Sequence, residues 1–392
     1  MNGSDFLQPQ FDTVQQRALT VGGIGAALML VGVLISPQQF YQSYLLGYIL
    51  WVGLALGCLG ILLLHHLVSG AWGHLIQRMV EAGARTLPFM ALLFIPVLLG
   101  MECLYPWTRH DVVEASHVLH EKEGYLNVPF FIIRAAIYFC FWIGGAYLLS
   151  AWSRKQDSTA DPSLTRRMRM FSGPGLVLFG FSLTFASVDW MMSLEPEWYS
   201  TIYGMQMIVG SVLTALAFCI VCIYLLSSKK PYSEILTTRH LHHLGNLLFA
   251  FTILWAYLAF SQYLIIWSGN LPEDNFWYVR RLGTGWNMIA IVLLLGHFFV
   301  PFLLLLSRRR KRAMQSLARI AAGLFLMRLL DIFWLISPAF NTDHVRLHWL
   351  DFVAPVAIGG LWIGLFVRDM KGQPLLPKHD PRFTAKAEYA HH

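Results

Sequence analysis

Charged side chains inside long apolar segments are the residues best able to do chemistry in this sequence. Glu102 and Asp189 each lie within an apolar run, and neither has a basic residue three or four positions away. A charge in lipid costs several kcal/mol unless it is paired or faces water, so such residues are functional candidates. Any partner of these two carboxylates must therefore come from another helix.

Three further charges lie in apolar runs. Arg328 and Asp331 are three residues apart, on one face of a predicted helix, and Arg134 lies early in another run. A carboxyl group in apolar surroundings can exchange its proton near neutral pH, as a proton relay requires. We interpret Asp189 and Glu102 as proton-handling or quinol-facing groups, and the pair of Arg328 with Asp331 as either a structural ion pair or part of a relay.

His297 is the histidine that lies deepest in a predicted span. It is interpreted as part of a polar relay or as a hydrogen-bonded core residue. A haem b would need two deep histidines at one depth on facing helices, whereas His66 and His243 lie near span ends. The candidate proton pathway therefore comprises Asp189, Glu102, His297, Arg328 and Asp331.

Aromatic residues cluster with hydrogen-bonding neighbours near the ends of the central apolar runs. Small-molecule sites have apolar and aromatic walls with a few polar groups that orient the ligand. A quinone head group could thus be held by Trp190, Tyr203, Gln262 and Tyr263. The alternative is a belt of aromatic side chains at the membrane interface.

Cysteine and histidine spacing gives no metal or redox pattern. Cys219 and Cys222 form C-x-x-C, but no second pair or nearby histidine completes a zinc, iron–sulfur or haem c motif. All five cysteines are interpreted as buried small hydrophobic residues. Glu114 and His117 have the spacing of half a di-iron motif, which needs a second copy. We expect no metal and no cofactor on this chain, and interpret 107–127 as a surface loop that docks a partner.

Composition predicts the fold class. Of 392 residues, 56% are hydrophobic and 13% are charged, whereas globular domains average roughly 25% charged residues. Apolar runs of about 20 residues can cross a bilayer. We predict an all-α integral membrane protein with about ten transmembrane helices. The predicted spans are 18–36, 41–64, 87–104, 129–150, 171–193, 201–227, 243–267, 285–307, 314–337 and 349–367.

Basic residues predict the orientation. Lys and Arg are concentrated in the N-terminal segment, alternate connections and the C-terminal tail, which places both termini in the cytoplasm. The stretch Arg308–Arg312 directly follows an apolar run, so the net charge of +7 indicates loops facing anionic lipid and not a nucleic-acid partner. Asp5 and Asp12 precede the first apolar run, and no secretory signal pattern is found there.

Four segments make up the predicted organisation. They are a cytoplasmic segment 1–17, a first transmembrane half 18–193, a second half 201–370 and a cytoplasmic tail 371–392. Between spans two and three, apolar and polar residues follow the helical period, which predicts an amphipathic helix over 72–81 on the cytoplasmic interface. The Pro-rich tail after Lys371 is predicted to form an extended strap.

Two runs resemble a known family. The run Ser187-Val-Asp-Trp-Met-Met-Ser-Leu-Glu-Pro196, followed by Trp198-Tyr-Ser-Thr-Ile-Tyr-Gly204, resembles the smaller of two NrfD-like (polysulfide-reductase-type) integral membrane subunits of alternative complex III. Span seven, with Ala259-Phe-Ser-Gln-Tyr-Leu-Ile-Ile-Trp-Ser-Gly-Asn270, and the ten-span layout fit the same subunit. That complex is a quinol:cytochrome c oxidoreductase of bacterial respiratory chains.

The resemblance implies two four-helix bundles, spans two to five and six to nine, with the first and last spans outside them. It implies the bacterial inner membrane, with lipid around the chain. The implied partners are a larger NrfD-like subunit, an iron–sulfur subunit, haem c subunits and small membrane subunits. Haem c and iron–sulfur clusters would then belong to partners, and quinol oxidation to the larger subunit. For this chain the family implies a proton path within a bundle.

Three functions stay open on the sequence alone. The first is a membrane subunit of a quinol:acceptor oxidoreductase that conducts protons or supports a neighbour's quinol site, without being catalytic alone. The second is a structural anchor, in which Glu102 and Asp189 face neighbouring chains and no polar chain crosses a bundle. The third is a secondary transporter, which would need broken helices at matching positions of the two halves.

Overall fold

Residues 8–283 and 285–379 are described by the computed structural model, and within them the chain is helical without strands. Ten helical segments are long and apolar enough to cross a membrane. These spans, numbered one to ten, are Gln8–Ile35, Pro37–Val68, Trp72–Leu99, Val128–Thr159, Pro162–Leu194, Ile202–Leu226, Thr238–Gly269, Trp286–Leu306, Met314–Ala339 and Leu350–Lys371. The predicted all-α membrane fold is confirmed.

Successive spans run in opposite directions, so their connections alternate between two faces. One side holds residue 8 and the connections after spans two, four, six and eight, and we call it the terminal face. The loop face is the other side, which holds residues 100–127. Parts of two predicted tails, 1–7 and 380–392, lie outside the described residues, and so do Asp5, Arg382 and Lys386.

The spans pack as two four-helix bundles, as expected. Spans two to five surround one interior and spans six to nine surround another, each span contacting its neighbours in the bundle. Span six joins the bundles by packing against spans two and five. Span ten lies outside, against span two, and span one packs along span ten. Span two is consequently the most buried of the ten.

Short helices fill the connections and side chains cap the long ones. The loop-face helices are Met101–Leu104, Pro106–Thr108, His110–Ala115, His117–Lys122 and Pro272–Leu282, and the terminal-face helices are Tyr232–Ile235 and Arg308–Arg312. Asn127 begins span four by accepting a hydrogen bond from the Phe130 amide at 3.0 Å. Asp161 begins span five in the same way, from the Ser163 amide at 2.8 Å. These caps satisfy amides that a helix start leaves unpaired.

The segment 72–81 is where the predicted topology is wrong. It belongs to the helix Ala71–Ala84, which starts span three and packs against spans two, four, six, seven and ten. Its polar residues, expected to face the cytoplasm, are buried at 0–3% exposure: His74, Gln77, Arg78 and Glu81. Gln77, Arg78 and Glu81 pair with one another and with span four, as described below, which offsets the cost of burying them. The helical period was right, but both faces are covered by protein.

Spans three and eight are interrupted. Span three consists of Ala71–Ala84, Leu87–Leu92 and Ile95–Leu99. Proline has no amide hydrogen, so Pro96 cannot donate the hydrogen bond that would join the last two of these segments into one helix. In span eight, Pro301 cannot bond to the carbonyl four residues earlier, and the chain forms a π-helical turn there, Leu294–Phe299. Span three is the third of the five spans in the first half and span eight is the third of the five in the second, so the two breaks match in position between the halves. Within the two four-helix bundles they are the second and the third span.

The described part of the tail crosses the terminal face. Leu375 is buried, and the hydroxyl of Tyr232 donates to its carbonyl at 3.5 Å. The Lys378 amide donates to the Asp157 carboxylate at 2.9 Å. Burial raises the pKa of the Tyr232 hydroxyl well above its ordinary value, so it stays a donor. The predicted strap is therefore observed for residues 372–379, on the surface of this same chain.

Close contact between spans two and six gives a testable prediction. A Cβ added at Gly57 would lie 2.0 Å from the backbone oxygen of Ser211, so the helices would have to separate. We expect Gly57→Ala to cost about 1–3 kcal/mol through overpacking. The control Gly180→Ala places its methyl where nothing lies within 4 Å. It should be neutral or stabilise by up to about 1 kcal/mol. Thermal unfolding in detergent measures both, and equal melting temperatures would contradict the close approach.

Candidate functional site

An ion pair between spans four and five lies inside the first bundle. The guanidinium of Arg134 donates to both carboxylate oxygens of Asp189, from Nε and from Nη2, each at 2.9 Å. Asp189 is fully buried and Arg134 is 6% exposed. Such a two-pronged contact is the strongest geometry available to this pair. The partner from another helix that the sequence requires for Asp189 is thus Arg134.

Neighbouring groups complete the coordination of both charges. The Tyr138 hydroxyl donates to Asp189 Oδ2 at 3.0 Å. Arg134 Nη1 donates to the Tyr125 carbonyl at 2.9 Å, and its guanidinium lies 3.9 Å from the Tyr125 ring centroid and 4.3 Å from that of Phe130. A buried ion pair is tolerated only when its remaining hydrogen-bonding positions are satisfied. These contacts fix Asp189 near the loop face of the bundle.

Trp190 points away from the other predicted quinone-facing residues. Its ring packs in the first bundle against Phe94 at 4.8 Å, Phe139 at 5.7 Å and Trp142 at 5.8 Å between centroids. The Tyr105 hydroxyl donates to the Trp190 carbonyl at 3.1 Å. Burial, with the Asp189 charge as a smaller cause, raises the pKa of Tyr105 well above its ordinary value. An aromatic layer therefore lies directly beneath the ion pair.

The remaining three residues of the quinone prediction lie at the second bundle. Gln262 accepts a hydrogen bond from the Ser200 hydroxyl at 2.9 Å and donates to the Tyr278 hydroxyl at 3.3 Å. Tyr263 packs edge-on against Tyr278 at 5.2 Å, and Tyr203 is buried. Burial raises the pKa of Tyr278 to about 12, so this hydroxyl stays protonated. The Gln262 amide is engaged within the protein, and the four predicted residues do not line one cavity.

A half-open cavity of about 300 Å³ lies beside the first ion pair instead. Its walls include Lys122, Tyr125, Ser193, Trp198 and Tyr199. The Ser193 hydroxyl donates to the Asp189 carbonyl at 2.5 Å, and Lys122 Nζ donates to the Pro196 carbonyl at 2.6 Å. Burial lowers the pKa of Lys122. The cavity reaches Tyr125 and Ser193, which contact the two residues of the ion pair, while Asp189 and Arg134 themselves do not line it.

The second bundle holds its own ion pair, as predicted. Arg328 Nη1 contacts Asp331 Oδ2 three residues along span nine, and both side chains are buried. Trp255 of span seven donates from Nε1 to Asp331 Oδ2 at 3.3 Å. Arg328 Nη2 lies 3.4 Å from the sulfur of Met207 in span six. Both bundles thus contain a buried arginine–aspartate pair.

His297 lies next to this second pair, in the π-helical turn of span eight. Its ring stacks on Trp255 with centroids 4.0 Å apart. It is fully buried, and among the described residues neither ring nitrogen has a hydrogen-bond partner. The expectation of a hydrogen-bonded core histidine is therefore wrong. Trp255 contacts both His297 and Asp331, so the three predicted pathway residues of this bundle do come together.

Glu102 lies apart from both pairs. It is exposed at the end of span three, in the short helix Met101–Leu104. It lines a polar cleft of about 370 Å³ on the loop face with Gln38, Gln42 and Arg109. The turn after Gly100 directs it out of the bundle, so Glu102 is not joined to Asp189. Its inclusion in a path with Asp189 is not supported by this position.

A buried network at the terminal end of the first bundle was missed from the sequence. Arg78 Nη1 contacts Glu81 at 2.6 Å and the Ser153 hydroxyl at 3.0 Å, while Nη2 pairs with Asp157. Gln77 donates to Ser153 at 2.9 Å and to Glu81 at 3.0 Å. The signal was present, since Arg78 and Glu81 are three residues apart. It was overlooked because the segment was interpreted as an interface helix.

A second contact that the sequence analysis did not predict joins two connections on the loop face. Arg281, fully buried, contacts Glu195 at 2.6 Å and also donates to the Leu335 carbonyl at 3.1 Å. Arg281 lies 3.5 Å from the Trp277 ring centroid. Burial lowers the pKa of Arg281, and Glu195 partly offsets this. The pair ties the connection after span five to the one after span seven, and only tertiary structure brings these connections together.

The predicted loop 107–127 is exposed, as expected, and its histidines pair locally. His110 contacts Glu114 at 3.2 Å, and His117 contacts Glu121 at 3.7 Å. Glu114 and His117 therefore have different partners, and among the described residues no group of three or more ligating side chains could hold a metal. Cys103 and Cys140 are exposed and Cys222 is partly buried, so the prediction that all five cysteines are buried is confirmed only for Cys58 and Cys219.

No protein-family model matches the chain, and no curated protein matches it significantly. The resemblance drawn from the runs around Asp189 and in span seven therefore stays a prediction.

The ion pair of Arg134 with Asp189 predicts strong coupling between the two residues. Arg134→Met or Asp189→Leu alone leaves one buried charge unpaired, which costs about 3–5 kcal/mol. The double variant removes both charges and should cost less than either single change. Thermal unfolding of the four proteins in one detergent gives the interaction energy. Additive losses would show that the two side chains do not depend on each other.

His297 offers a separate prediction. In His297→Phe the ring still stacks on Trp255 and two unpaired buried nitrogens disappear. Leaving a buried polar group unsatisfied costs about 1–3 kcal/mol, so the variant should melt at an equal or higher temperature. Trp255→Leu, which removes the stack, should melt lower. A clear loss of stability in His297→Phe would mean that its nitrogens are hydrogen-bonded in the working protein.

Proposed function

We propose that this chain is an NrfD-like membrane subunit of a quinol:cytochrome c, or other acceptor, oxidoreductase, and that its first bundle relays protons. The observation that carries the proposal is the pairing of Asp189 with Arg134 inside that bundle, beside an opening on the loop face. Buried ionisable residues in a membrane protein mark proton paths when water or another ionisable group can reach them.

Polar groups at both ends of the first bundle support the relay. Asp189, Arg134 and Tyr138 lie near the loop face, while Arg78 and Glu81 lie near the terminal face. With the terminal face cytoplasmic, as the basic residues predict, Glu81 would take up protons and Asp189 would release them. Acceptance of a proton by Asp189 would weaken its hold on Arg134, since the attraction depends on the carboxylate charge.

The region between the two polar clusters is lined along span four by small and apolar residues, with Gly145, Ala146, Leu149 and Ser150 buried. Along span four it extends from Trp142 to Ser153, about 16 Å at the rise of an α-helix. It still contains polar groups: Trp142 donates from Nε1 to Ser182 at 2.9 Å, and the buried hydroxyls of Ser150 and Ser172 lie further along. A relay through this region requires transient water between these groups. The aromatic layer would restrict leakage of protons when the relay is at rest.

The second bundle supplies a parallel candidate. Asp331, Arg328 and His297 meet around Trp255. In the proposed complex the haem c and iron–sulfur clusters belong to partner subunits, and quinol is oxidised at the larger NrfD-like subunit. The chain would then act on protons released by a neighbour and would not be catalytic alone.

One observation favours a different role, that of a structural anchor. Glu102 faces outward from a polar cleft with Arg109, where another subunit could bind it. The anchor hypothesis also expects Asp189 to face a neighbouring chain, whereas Asp189 is fully buried and paired. The exposed Glu102 therefore fits the anchor hypothesis, and the buried Asp189 fits the relay hypothesis. A substitution of Asp189 can distinguish the two.

Asp189→Asn in the assembled complex tests the relay. Loss of the titratable group should reduce quinol turnover at least about tenfold, since a positioned proton-transfer group contributes about 10²–10⁴. Proton release per electron should fall as well. Glu195→Gln is the matched control, because it breaks a similarly buried ion pair on the same face outside the relay. It should change stability but not the proton stoichiometry.

The double variant Arg134→Gln with Asp189→Asn covers the case in which the single variant fails to assemble. It removes both charges together and leaves no unpaired ion in the bundle. Assembled complex with normal turnover and normal proton release in either variant would remove Asp189 from the mechanism. An equal fall in proton stoichiometry in Glu195→Gln would point to general disturbance of the fold.

A further inference from the structure

We propose that the terminal face of the second bundle binds the headgroup of an anionic phospholipid, such as phosphatidylglycerol. Three elements form this site, which we name the basic corner: the helix Arg308–Arg312, the start of span seven and the first turns of span nine. The short helix packs against both spans. The basic corner lies outside the proposed proton path.

The cations of the basic corner have no carboxylate partners. Arg308, Arg309, Arg310, Arg312 and Arg319 are all exposed. Within residues 8–283 and 285–379 none of the five forms an ion pair. Moreover, no Asp or Glu occurs in the sequence over 235–272 or over 275–330, the stretches that build the corner. Its charge is therefore left for a ligand to neutralise.

The first bundle handles its basic residues differently on the same face. Arg85 and Arg154 share Asp369, at 3.0 Å and 3.4 Å, and Arg78 pairs with Glu81. On the same face of the first bundle, however, Arg166, Arg167 and Arg169 are exposed, and within the described residues they form no ion pair. The basic corner differs from them because its arginines surround the buried Lys311 and no Asp or Glu lies in the stretches that build it.

The short helix is held rigidly in place. Lys311 is 7% exposed, and its Nζ donates to Asn246 Oδ1 at 2.7 Å while lying 5.3 Å from the Phe249 ring centroid. Ser307 caps the helix by accepting a hydrogen bond from the Arg310 amide at 3.4 Å. With Lys311 fixed to span seven, the arginines around it project from an ordered support. Ordered donors lose less entropy on binding a phosphate than mobile ones do.

His242 adds an imidazole ring to the corner. Its Nδ1 atom is buried and has no hydrogen-bond partner among the described residues. His242 lies in the first turns of span seven, against which the basic helix packs. A phosphate oxygen near the cations of the basic helix would give the His242 ring the acceptor that it lacks.

Apolar surface continues from the corner into the membrane. Leu303 and Leu306, on the last turn of span eight, are 63% and 54% exposed. Arg319 lies on span nine about two turns beyond Arg312, so cationic charge extends to the depth where headgroups meet acyl chains. A ligand with a phosphate and two acyl chains matches both features. Basic pockets between transmembrane helices on the cytoplasmic side are established lipid headgroup sites.

The test uses the full chain, with any subunits that copurify, in phosphatidylcholine nanodiscs. Phosphatidylglycerol replaces phosphatidylcholine stepwise, and the rise in the unfolding temperature gives an apparent affinity. The test variant is the triple Arg308→Gln, Arg309→Gln and Arg312→Gln. The control is the triple Arg166→Gln, Arg167→Gln and Arg169→Gln, which removes three exposed cations of the first bundle from the same face.

We expect the test variant to bind phosphatidylglycerol about 100-fold more weakly, at about fivefold for each cation removed. The control should stay within about fivefold of the unaltered chain, and inorganic phosphate should not reproduce the stabilisation. Equal weakening in both triple variants would reduce the effect to general surface charge and overturn the proposal. Full stabilisation of the chain by inorganic phosphate would also overturn the proposal. Loss of a copurifying subunit from the test variant, with its lipid preference unchanged, would assign the corner to a protein partner instead.

Discussion

The cost of placing a charge in a low-dielectric interior governs this fold. Asp189 can lie inside the first bundle only because Arg134 reaches it from the neighbouring span with two hydrogen bonds. The rings of Tyr125 and Phe130 then cover the guanidinium. Spans four and five are joined by this contact, and the aromatic layer around Trp190 packs beneath it. Position, packing and proposed chemistry at this end of the bundle therefore depend on one ion pair.

The same constraint explains how charge is distributed over the rest of the molecule. Buried cations of the first bundle each have a carboxylate: Arg78 has Glu81, and Arg134 has Asp189. In the second bundle the buried Arg328 has Asp331, but the cations at its terminal end remain exposed. The buried Lys311 has no carboxylate and donates to Asn246 instead. At the exposed basic corner, solvent or lipid can neutralise the charge, and the sequence over 275–330 supplies no acid.

Much of the fold could be predicted because apolar length and helical spacing are local signals. Ten apolar runs gave ten spans, and the three-residue spacing of Arg328 and Asp331 gave their ion pair. The surroundings of a helix, in contrast, depend on residues that are distant in the sequence. The segment 72–81 has the period of an interface helix, yet five other spans cover it. Likewise Glu102 and Asp189 look equivalent in sequence, but a turn after Gly100 exposes the first, while Arg134 encloses the second.

The two buried pairs differ in what the loss of one charge would do. Arg328 and Asp331 lie on one helix, so a change of charge there leaves the spacing between helices unaltered. Arg134 and Asp189 join two helices, so neutralising Asp189 removes an attraction that holds spans four and five together. Tyr138, hydrogen-bonded to the same carboxylate, lies on the side toward the aromatic layer. A proton on Asp189 would thus loosen the bundle where a relay must open, which makes this pair the better switch.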